Sequence, residues 1–163
     1  MAGTEELKRK IRVVKGRPLK VNIRAAQMED AGRLAELSGQ LGYPGSAGDM
    51  RRRLRHLLAD PEHAVWVGET ESGIIAGWIH VFVKRLLEND PEIEIGGLVI
   101  DENFRGQGAG KVLVERAEGW AKARGLKSVY VRSNVVRKDA HAFYQKLGYR
   151  IIKTQSSFRK TFC

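Results

Sequence analysis

A run of seven residues containing three glycines has the composition of an anion-binding turn. The run is Arg105-Gly106-Gln107-Gly108-Ala109-Gly110-Lys111, and it lies between an apolar stretch and a helical pattern. A glycine-rich turn that opens a helix presents several backbone N–H groups in a row, and the helix dipole places positive potential behind them. The run is therefore a candidate phosphate-binding site, and the question is which phosphate compound it holds.

Two common nucleotide-binding motifs do not fit this run. A P-loop would need glycine at the position of Arg105 and serine or threonine at that of Val112. A dinucleotide fingerprint counted from Gly106 would need a third glycine at the position of Lys111. It would also need an acidic residue about twenty positions further on, where the chain has none. The pattern that does fit is Arg-x-x-Gly-x-Gly.

The elements on either side of the run would position it. Residues 92–100 alternate Glu-Ile-Glu-Ile, continue with Gly96-Gly97 and end in three apolar residues, which predicts a strand. Paired glycines within a strand indicate a bulge or the close approach of another group. Residues 108–123 place apolar side chains at helical spacing, and Gly125 follows as a helix stop.

The whole chain predicts an α/β domain with a mixed sheet and helices on both faces. The expected order is β-α-α-β-β-β-α-β-α-β-β, in which the segment at residues 92–134 is a strand–helix–strand crossover and therefore parallel. One domain spans residues 19–163, after a basic arm at residues 1–18. The predicted strands are residues 19–24, 63–69, 74–83, 92–100, 128–134, 149–153 and 157–162.

Charge and composition exclude several classes of protein. The net charge is +10, and eight basic and two acidic residues place +6 of it in the first 24 positions. The body is thus only mildly basic, and no zinc-finger spacing or RNA-binding aromatic motif supports a nucleic-acid partner. The lone cysteine, Cys163, cannot pair within the chain. We expect no membrane span, no signal peptide, no metal and a cytoplasmic location.

The loop together with its surroundings resembles the GNAT superfamily of acetyl-CoA-dependent N-acetyltransferases. The resemblance runs from about Val21 to Phe162. The residues that carry it are Ile95-Gly96-Gly97-Leu98-Val99-Ile100, then Arg105 to Gly110, then Ala140-His141-Ala142-Phe143-Tyr144-Gln145-Lys146-Leu147-Gly148-Tyr149. It implies a mostly antiparallel central sheet of about seven strands, and acetyl-CoA as co-substrate.

The resemblance also implies which residues bind coenzyme A. The amides of the loop would hold the pyrophosphate. A bulge at Gly96-Gly97 would separate two strands, so that the pantetheine arm pairs with Leu98 and Ile100 like an added strand, with an amide near Leu98 or Val99 as oxyanion donor. Asn134 would bond the pantetheine, although it lies ten residues before Tyr144 rather than the seven common in the family. The implied cofactor residues are Leu98, Val99, Ile100, Arg105, Gly106, Gln107, Gly108, Ala109, Gly110, Lys111, Asn134 and Tyr144. Arg137, Lys138 and Lys146 are further candidates for contact with phosphate.

Acetyl transfer to an amine needs a base for the amine and an acid for the thiolate. By resemblance Tyr144 is the acid, since a phenol with a pKa near ~10 keeps its proton at neutral pH. Glu94, two residues before the expected bulge, is the first choice of base. His80 on the adjoining strand or a water chain is the alternative, and His141 is expected to pack or to touch coenzyme A.

The sequence does not identify the acceptor of the acetyl group. Residues 37–60 and 84–91 would shape its pocket in this family, and a small amine, an amino acid, an antibiotic and a protein N-terminus all stay open. The predicted function is transfer from acetyl-CoA to a primary amine by direct attack in a ternary complex. The alternative is a non-catalytic coenzyme A-binding or regulatory module of the same fold. A homodimer is also left open.

Overall fold

The computed structural model describes residues 18–163, so the predicted basic arm at residues 1–18 lies almost entirely outside the described residues. Five strands form one sheet in the order β1-β2-β3-β4-β5. The strands are β1 Val21–Ala25, β2 His63–Thr70, β3 Ile75–Leu86, β4 Asn89–Ile100 and β5 Val129–Val131. The helices are α1 Ala31–Leu41, α2 Ala47–Ala59, α3 Ala109–Ala123 and α4 Lys138–Lys146, with single 3-10 turns at Met28–Asp30 and Glu102–Phe104.

The sheet is mixed and mostly antiparallel, as predicted. The first four strands pair antiparallel in chain order, and β5 runs parallel to β4 after the α3 crossover. The chain divides into two compact units, one up to Val131 and one from Arg132 onward. The sheet and the first three helices belong to the first unit, and α4 belongs to the second.

Helices cover both faces of this sheet. Val65 and Val67 of β2 point to one face, where they form a core cluster with α1 and α2 through Leu34, Leu37 and Leu54. Trp66 lies between the two valines and therefore points to the opposite face. There its ring makes an edge-to-face contact with Trp120 of α3, at 5.8 Å between centroids. Leu113, Val114, Ala117 and Ala121 of α3 are buried.

Local sequence signals account for where α1 and α2 begin and end. Ser46 caps α2, because its side-chain oxygen accepts a hydrogen bond from Asp49 N–H at 3.0 Å. Gly42 ends α1 in the left-handed conformation, with φ of 102°. Leu54 of α2 is buried, whereas Leu58 of the same helix is 41% exposed.

The hairpin of β3 and β4 is longer than predicted. Both strands run for 12 residues and are joined by Leu87 and Glu88 alone, so the expected loop at residues 84–91 is mostly strand. Lys84 pairs with Glu92 across this extension. Pro91 was the misleading signal, since proline discourages a strand interior but is tolerated where its missing N–H is not needed.

The prediction of two final strands was wrong. No residue after Val131 is in a strand, and the sheet has five strands rather than about seven. A strand exists only where a neighbour completes its hydrogen-bond ladder, and residues 149–162 pair with no strand of the sheet. The apolar side chains of this segment are exposed instead: Ile151, Ile152, Phe158 and Phe162.

No helix within residues 18–163 is long and apolar enough to cross a bilayer.

Candidate active site

The bulge predicted at Gly96-Gly97 is present in β4. His80 of β3 pairs with Gly97 and Val81 pairs with Ile95, so Gly96 is the extra residue. Rings from β3 lie directly over both glycines. A Cβ on Gly96 would be 2.8 Å from His80 Nδ1, and a Cβ on Gly97 would be 2.9 Å from the Trp78 ring. Both reasons for paired glycines in a strand, a bulge and a close approach, therefore hold at this position.

The bulge is also where β4 loses its second neighbour. The parallel ladder joins Ile93 to Val129, Glu94 to Tyr130 and Ile95 to Val131, and it includes no residue beyond Ile95. From Gly96 to Ile100, β4 is paired on the β3 side only. Because β5 has no partner beyond this ladder, it is only three residues long, shorter than the predicted 128–134. Backbone groups of β4 after the bulge are thus available to an added extended chain.

The residues implied for the pantetheine arm lie on this one-sided part of β4. Leu98 and Ile100 are half-buried, and Val99 is buried in the core cluster with α1 and α2. The carbonyl of Ile100 accepts a hydrogen bond from Arg105 Nε at 3.0 Å. Arg105 therefore turns back toward β4, and Leu98 is the better placed of the two backbone partners.

The glycine-rich run forms an open turn at the start of α3. Gly106 and Gly108 have φ of 72° and 93°, a conformation that side chains rarely adopt, and nothing lies within 4 Å of where their Cβ atoms would be. Gly108 is the N-cap and has no side chain to bond the first N–H groups of the helix. The amides of Ala109, Gly110 and Lys111 therefore have no acceptor within the helix, and they suit a phosphate.

A buried carboxylate that the sequence did not single out braces the 3-10 turn just before the glycine-rich run. Asp101 Oδ1 accepts from Asn103 N–H at 2.8 Å, and its Oδ2 pairs with Arg33 of α1. Burial alone would raise the pKa of Asp101, but the hydrogen bonds from Asn103 and Arg33 lower it overall. Arg33 also bonds the carbonyl of Ile75 at 3.2 Å. The only sequence signal is Asp–x–Asn after a strand, which is typical of many turns.

The predicted base, Glu94, lies on the same sheet face as His80 and is 3% exposed. Lys84 Nζ is 3.6 Å from Glu94 Oε2 and 2.7 Å from Glu92 Oε1, and it lies 3.5 Å above the Tyr130 ring. Lys84 is therefore shared by two carboxylates on the same sheet face. Lys84 was missed because it was assigned to a loop.

A histidine pair occupies the sheet beside this cluster. His63 Nδ1 and His80 Nε2 are 2.9 Å apart, and Phe82 packs against both rings. Burial, together with the neighbouring His63, lowers the pKa of His80 from 6.5 to about 4. His80 is therefore neutral at physiological pH and has a lone pair to offer. The sequence suggested His80 as a reserve base and gave no signal for His63.

The second unit holds the remaining predicted site residues. Tyr144 is half-buried between Phe143 and Tyr149, with ring centroids 5.1 and 5.5 Å away, and burial raises its pKa to about 12. Asn134 Oδ1 accepts from Val136 N–H at 3.1 Å, which gives its side chain a part in shaping the loop before α4.

The other predicted contact residues of this unit lie on α4 or at its N-cap. His141 Nε2 lies 3.0 Å from the backbone oxygen of Asn134 and so closes the start of α4. Arg137 is the N-cap residue of that helix, while Lys138 and Lys146 are exposed at its two ends. Their possible contact with phosphate stays a prediction.

Residues 32–149 match the sequence profile of the acetyltransferase (GNAT) family. The match covers more than half of the chain. The protein belongs to the GNAT family. Its sequence is 27% identical over 141 residues to an aminoglycoside N(6')-acetyltransferase type 1 from Stenotrophomonas maltophilia, covering 84% of this chain and 91% of the relative.

Solved structures agree with this GNAT assignment. Glucosamine-6-phosphate N-acetyltransferase from Arabidopsis thaliana superposes with a TM-score of 0.75 at 27% identity, over 86% of this chain and 98% of that one. An aminoglycoside antibiotic 6'-N-acetyltransferase from Acinetobacter baumannii gives a TM-score of 0.78 at 17% identity, over 88% and 100%, and supports the fold. This GNAT protein is therefore an N-acetyltransferase.

The described residues of this GNAT protein fit acetyl-CoA as the donor. The positions of Gly106 and Gly108 are open, so a phosphate can approach the amides of the turn without meeting a side chain. The one-sided stretch of β4 leads directly to that turn. Within residues 18–163, no group of three His, Cys, Asp or Glu side chains could hold a metal ion.

Proposed function

We propose that the protein transfers an acetyl group from acetyl-CoA to a primary amine of a small-molecule acceptor, by direct attack in a ternary complex. One observation carries the proposal: β4 loses its β5 neighbour at the same bulge that precedes the open glycine turn. That arrangement offers an extended backbone for a pantetheine arm and amides for a pyrophosphate, in the order in which coenzyme A presents them.

The donor side of the proposal uses backbone more than side chains. The amides of residues 106–111 bind the pyrophosphate, and Arg105 and Lys111 supply positive charge nearby. Lys111 is exposed and reaches Glu115 on α3 at 3.7 Å, a contact weak enough to be exchanged for a phosphate. Leu98 pairs with the pantetheine arm, and an amide at Leu98 or Val99 stabilises the oxyanion.

The acceptor side uses the sheet face that carries Glu92 and Glu94. An alkylammonium acceptor is attracted by these carboxylates, and Glu94 accepts its proton through a water molecule. A small-molecule acceptor is favoured because the Stenotrophomonas relative, which is named for aminoglycosides, aligns with 84% of this chain. No particular acceptor molecule is proposed.

Tyr144 supplies the proton of the leaving thiolate. Its pKa of about 12 keeps the phenol protonated at any physiological pH, which an acid requires. Glu94 and Tyr144 together divide the two proton transfers between a carboxylate and a phenol.

Two measurements test this function, and the first tests the binding of acetyl-CoA. Acetyl-CoA should raise the melting temperature, since a ligand that binds only the folded state stabilises it. Gly108→Glu should abolish that rise, because it places a carboxylate at the phosphate site. Gly119→Glu on the exposed side of α3, where no atom lies within 4 Å, is the matched control and should keep the rise.

A panel of primary amines then tests the transfer itself, with release of the coenzyme A thiol as the readout. We expect thiol release that depends on both acetyl-CoA and the amine. A melting temperature that does not move with acetyl-CoA at millimolar concentration would reject the donor. A melting-temperature rise without thiol release for any amine would point to the non-catalytic module instead.

A further inference from the structure

An acetyltransferase that accepts an ammonium ion must release one proton to solvent in each turnover. The balanced reaction is R-NH3+ plus acetyl-S-CoA giving R-NH-acetyl, HS-CoA and H+. One N–C bond forms and one S–C bond breaks; of the two protons that leave nitrogen, one protonates the thiolate and the other must depart. When the acceptor is already a neutral amine, no proton is left over. The need for an exit therefore depends on the protonation state of the acceptor.

Glu94 cannot pass this proton to bulk water by itself. Its side chain is buried and lies against Lys84. The site thus needs a further group that connects the sheet face to the surface, and the structure contains a row of such groups starting at the bulge.

The histidine pair has the geometry of a proton-sharing contact. The two rings differ by only 14° in orientation, and their nitrogens are 2.9 Å apart while the ring centroids are 5.2 Å apart. The rings therefore meet edge to edge in nearly one plane, as a hydrogen bond between imidazoles requires, rather than face to face. One nitrogen in this bond carries the proton and the other accepts it.

The outer nitrogens of the pair point to the two ends of a path. His80 Nδ1 lies over the bulge, 2.8 Å from where a Gly96 Cβ would be. His63 Nε2 lies 3.8 Å from Asp60 Oδ2, a distance that one water molecule can bridge. Asp60 is exposed, and its Oδ1 is held by Glu62 N–H at 2.8 Å, which leaves Oδ2 directed at His63.

We propose that His80, His63 and Asp60 form a relay that carries the surplus proton of the acceptor from the β4 bulge to solvent. The proposal rests on the acetyl-transfer function proposed above. His80 Nδ1 receives, through water, the proton that Glu94 takes from the acceptor; the proton on His80 Nε2 moves to His63 Nδ1, and the proton on His63 Nε2 leaves toward Asp60 and water. After the acetylated product has left, back-transfer restores the starting tautomers. His63 Nε2 takes a proton from solvent, the proton on His63 Nδ1 returns to His80 Nε2, and His80 Nδ1 gives its proton to water in the emptied site. His63 is thus a positioning and relay residue that does not touch the acceptor.

The groups around the histidine pair favour transfer of the proton rather than its retention. His80 is neutral at physiological pH because burial and the adjacent His63 lower its pKa, so it does not retain the proton. Lys84, Glu92 and Glu94 are charged groups of β3 and β4 on this sheet face, and Asp60 and Glu62 lie just before β2. Negative groups at both ends stabilise a transient positive charge along the path.

The kinetic test compares two nearly isosteric amines, ethylamine and 2,2,2-trifluoroethylamine, at saturating concentration and pH 7. Ethylamine is an ammonium ion at this pH, whereas the fluorinated amine is a far weaker base and largely neutral. In His63→Phe, which keeps the packing on Phe82, kcat with ethylamine should fall by about tenfold or more. With the fluorinated amine it should change by less than about twofold, and KM for acetyl-CoA should not change. Lys122→Phe, at an exposed position of α3, should leave all values unchanged.

His63→Gln serves as a second variant in case the phenylalanine disturbs folding, since it keeps polarity but cannot pass a proton. Equal slowing with both amines, or no slowing with ethylamine, would overturn the relay.

A second readout does not depend on acetyl transfer. Nuclear magnetic resonance of the ¹⁵N-labelled imidazoles should show His80 protonated at Nε2 and bare at Nδ1, with a slowly exchanging proton shared with His63. A proton on His80 Nδ1 instead would overturn the relay even in an active enzyme. If the wild-type protein acetylates no amine but shows the expected tautomers, the proposed function is wrong, whereas the hydrogen bond between the two histidines is supported.

Discussion

His80 lies so close above Gly96 that the bulge has no room for a side chain. The Nδ1 atom of the ring is 2.8 Å from where a Cβ would be, and Cε1 is 3.2 Å from it. His80 is itself held by its hydrogen bond to His63 and by Phe82, so its ring has little freedom to move aside. The bulge and the histidine pair are therefore one structural unit.

Gly96→Ala should destabilise the protein by about 1–3 kcal/mol, because the new methyl group overpacks a constrained ring. Denaturant unfolding measures the change. Gly119→Ala is the matched control: it lies inside α3 with nothing within 4 Å, and alanine there should stabilise by about 0.5–1 kcal/mol. If Gly96→Ala were as stable as the wild type, the close approach would be wrong.

Lys84→Met should destabilise the protein by about 3 kcal/mol, because it leaves two carboxylates facing each other without their shared ammonium. Lys111→Met provides the comparison, since Lys111 and Glu115 form an exposed pair and its loss should cost less than about 1 kcal/mol. Adding Glu94→Gln to Lys84→Met should restore part of the loss. Strict additivity of the two changes would show that the pair is not coupled.

Stability should decline as pH falls from about 6.5 to about 4. The pKa of His80 is about 4 in the folded state and near 6.5 in the unfolded chain, so the unfolded state binds more protons within this window. The slope from this group reaches about 1.4 kcal/mol per pH unit. Unfolding free energies measured across the window should show a shallower decline in His80→Gln than in the wild type. An identical slope in wild type and His80→Gln would mean that His80 is not buried as a neutral group.

Tyr144→Phe should leave the affinity for acetyl-CoA within about twofold and lower kcat by about a hundredfold, the loss expected of a missing general acid. The neighbouring Tyr149→Phe is the control, since its ring lies 5.5 Å from that of Tyr144 and keeps the packing. Because the pKa of Tyr144 is about 12, kcat should show no loss from phenol ionisation below pH ~10. Unchanged turnover in Tyr144→Phe would remove it from the role of acid.

Much of this fold could be predicted from local sequence patterns. The glycine turn and the paired glycines of β4 each depend on a few neighbouring residues, and each was confirmed. The two final strands were wrong, since the residue types at 149–162 say nothing about whether a partner strand is present. Pro91 hid the full length of β4 for a related reason: whether its missing N–H matters depends on the neighbouring strand.

The candidate site was likewise predicted only in part from the sequence. The sequence alone determined the family, the turn at residues 105–111, and Glu94 and Tyr144 as candidates, because short motifs carry those signals. Only the tertiary structure decided that Lys84 neutralises part of the charge of Glu94, that Asp101 and Arg33 brace the 3-10 turn at Glu102–Phe104, and that His63 meets His80. These pairs are 10 to 68 residues apart along the chain. Their meeting is set by strand register and helix packing, which no local pattern encodes.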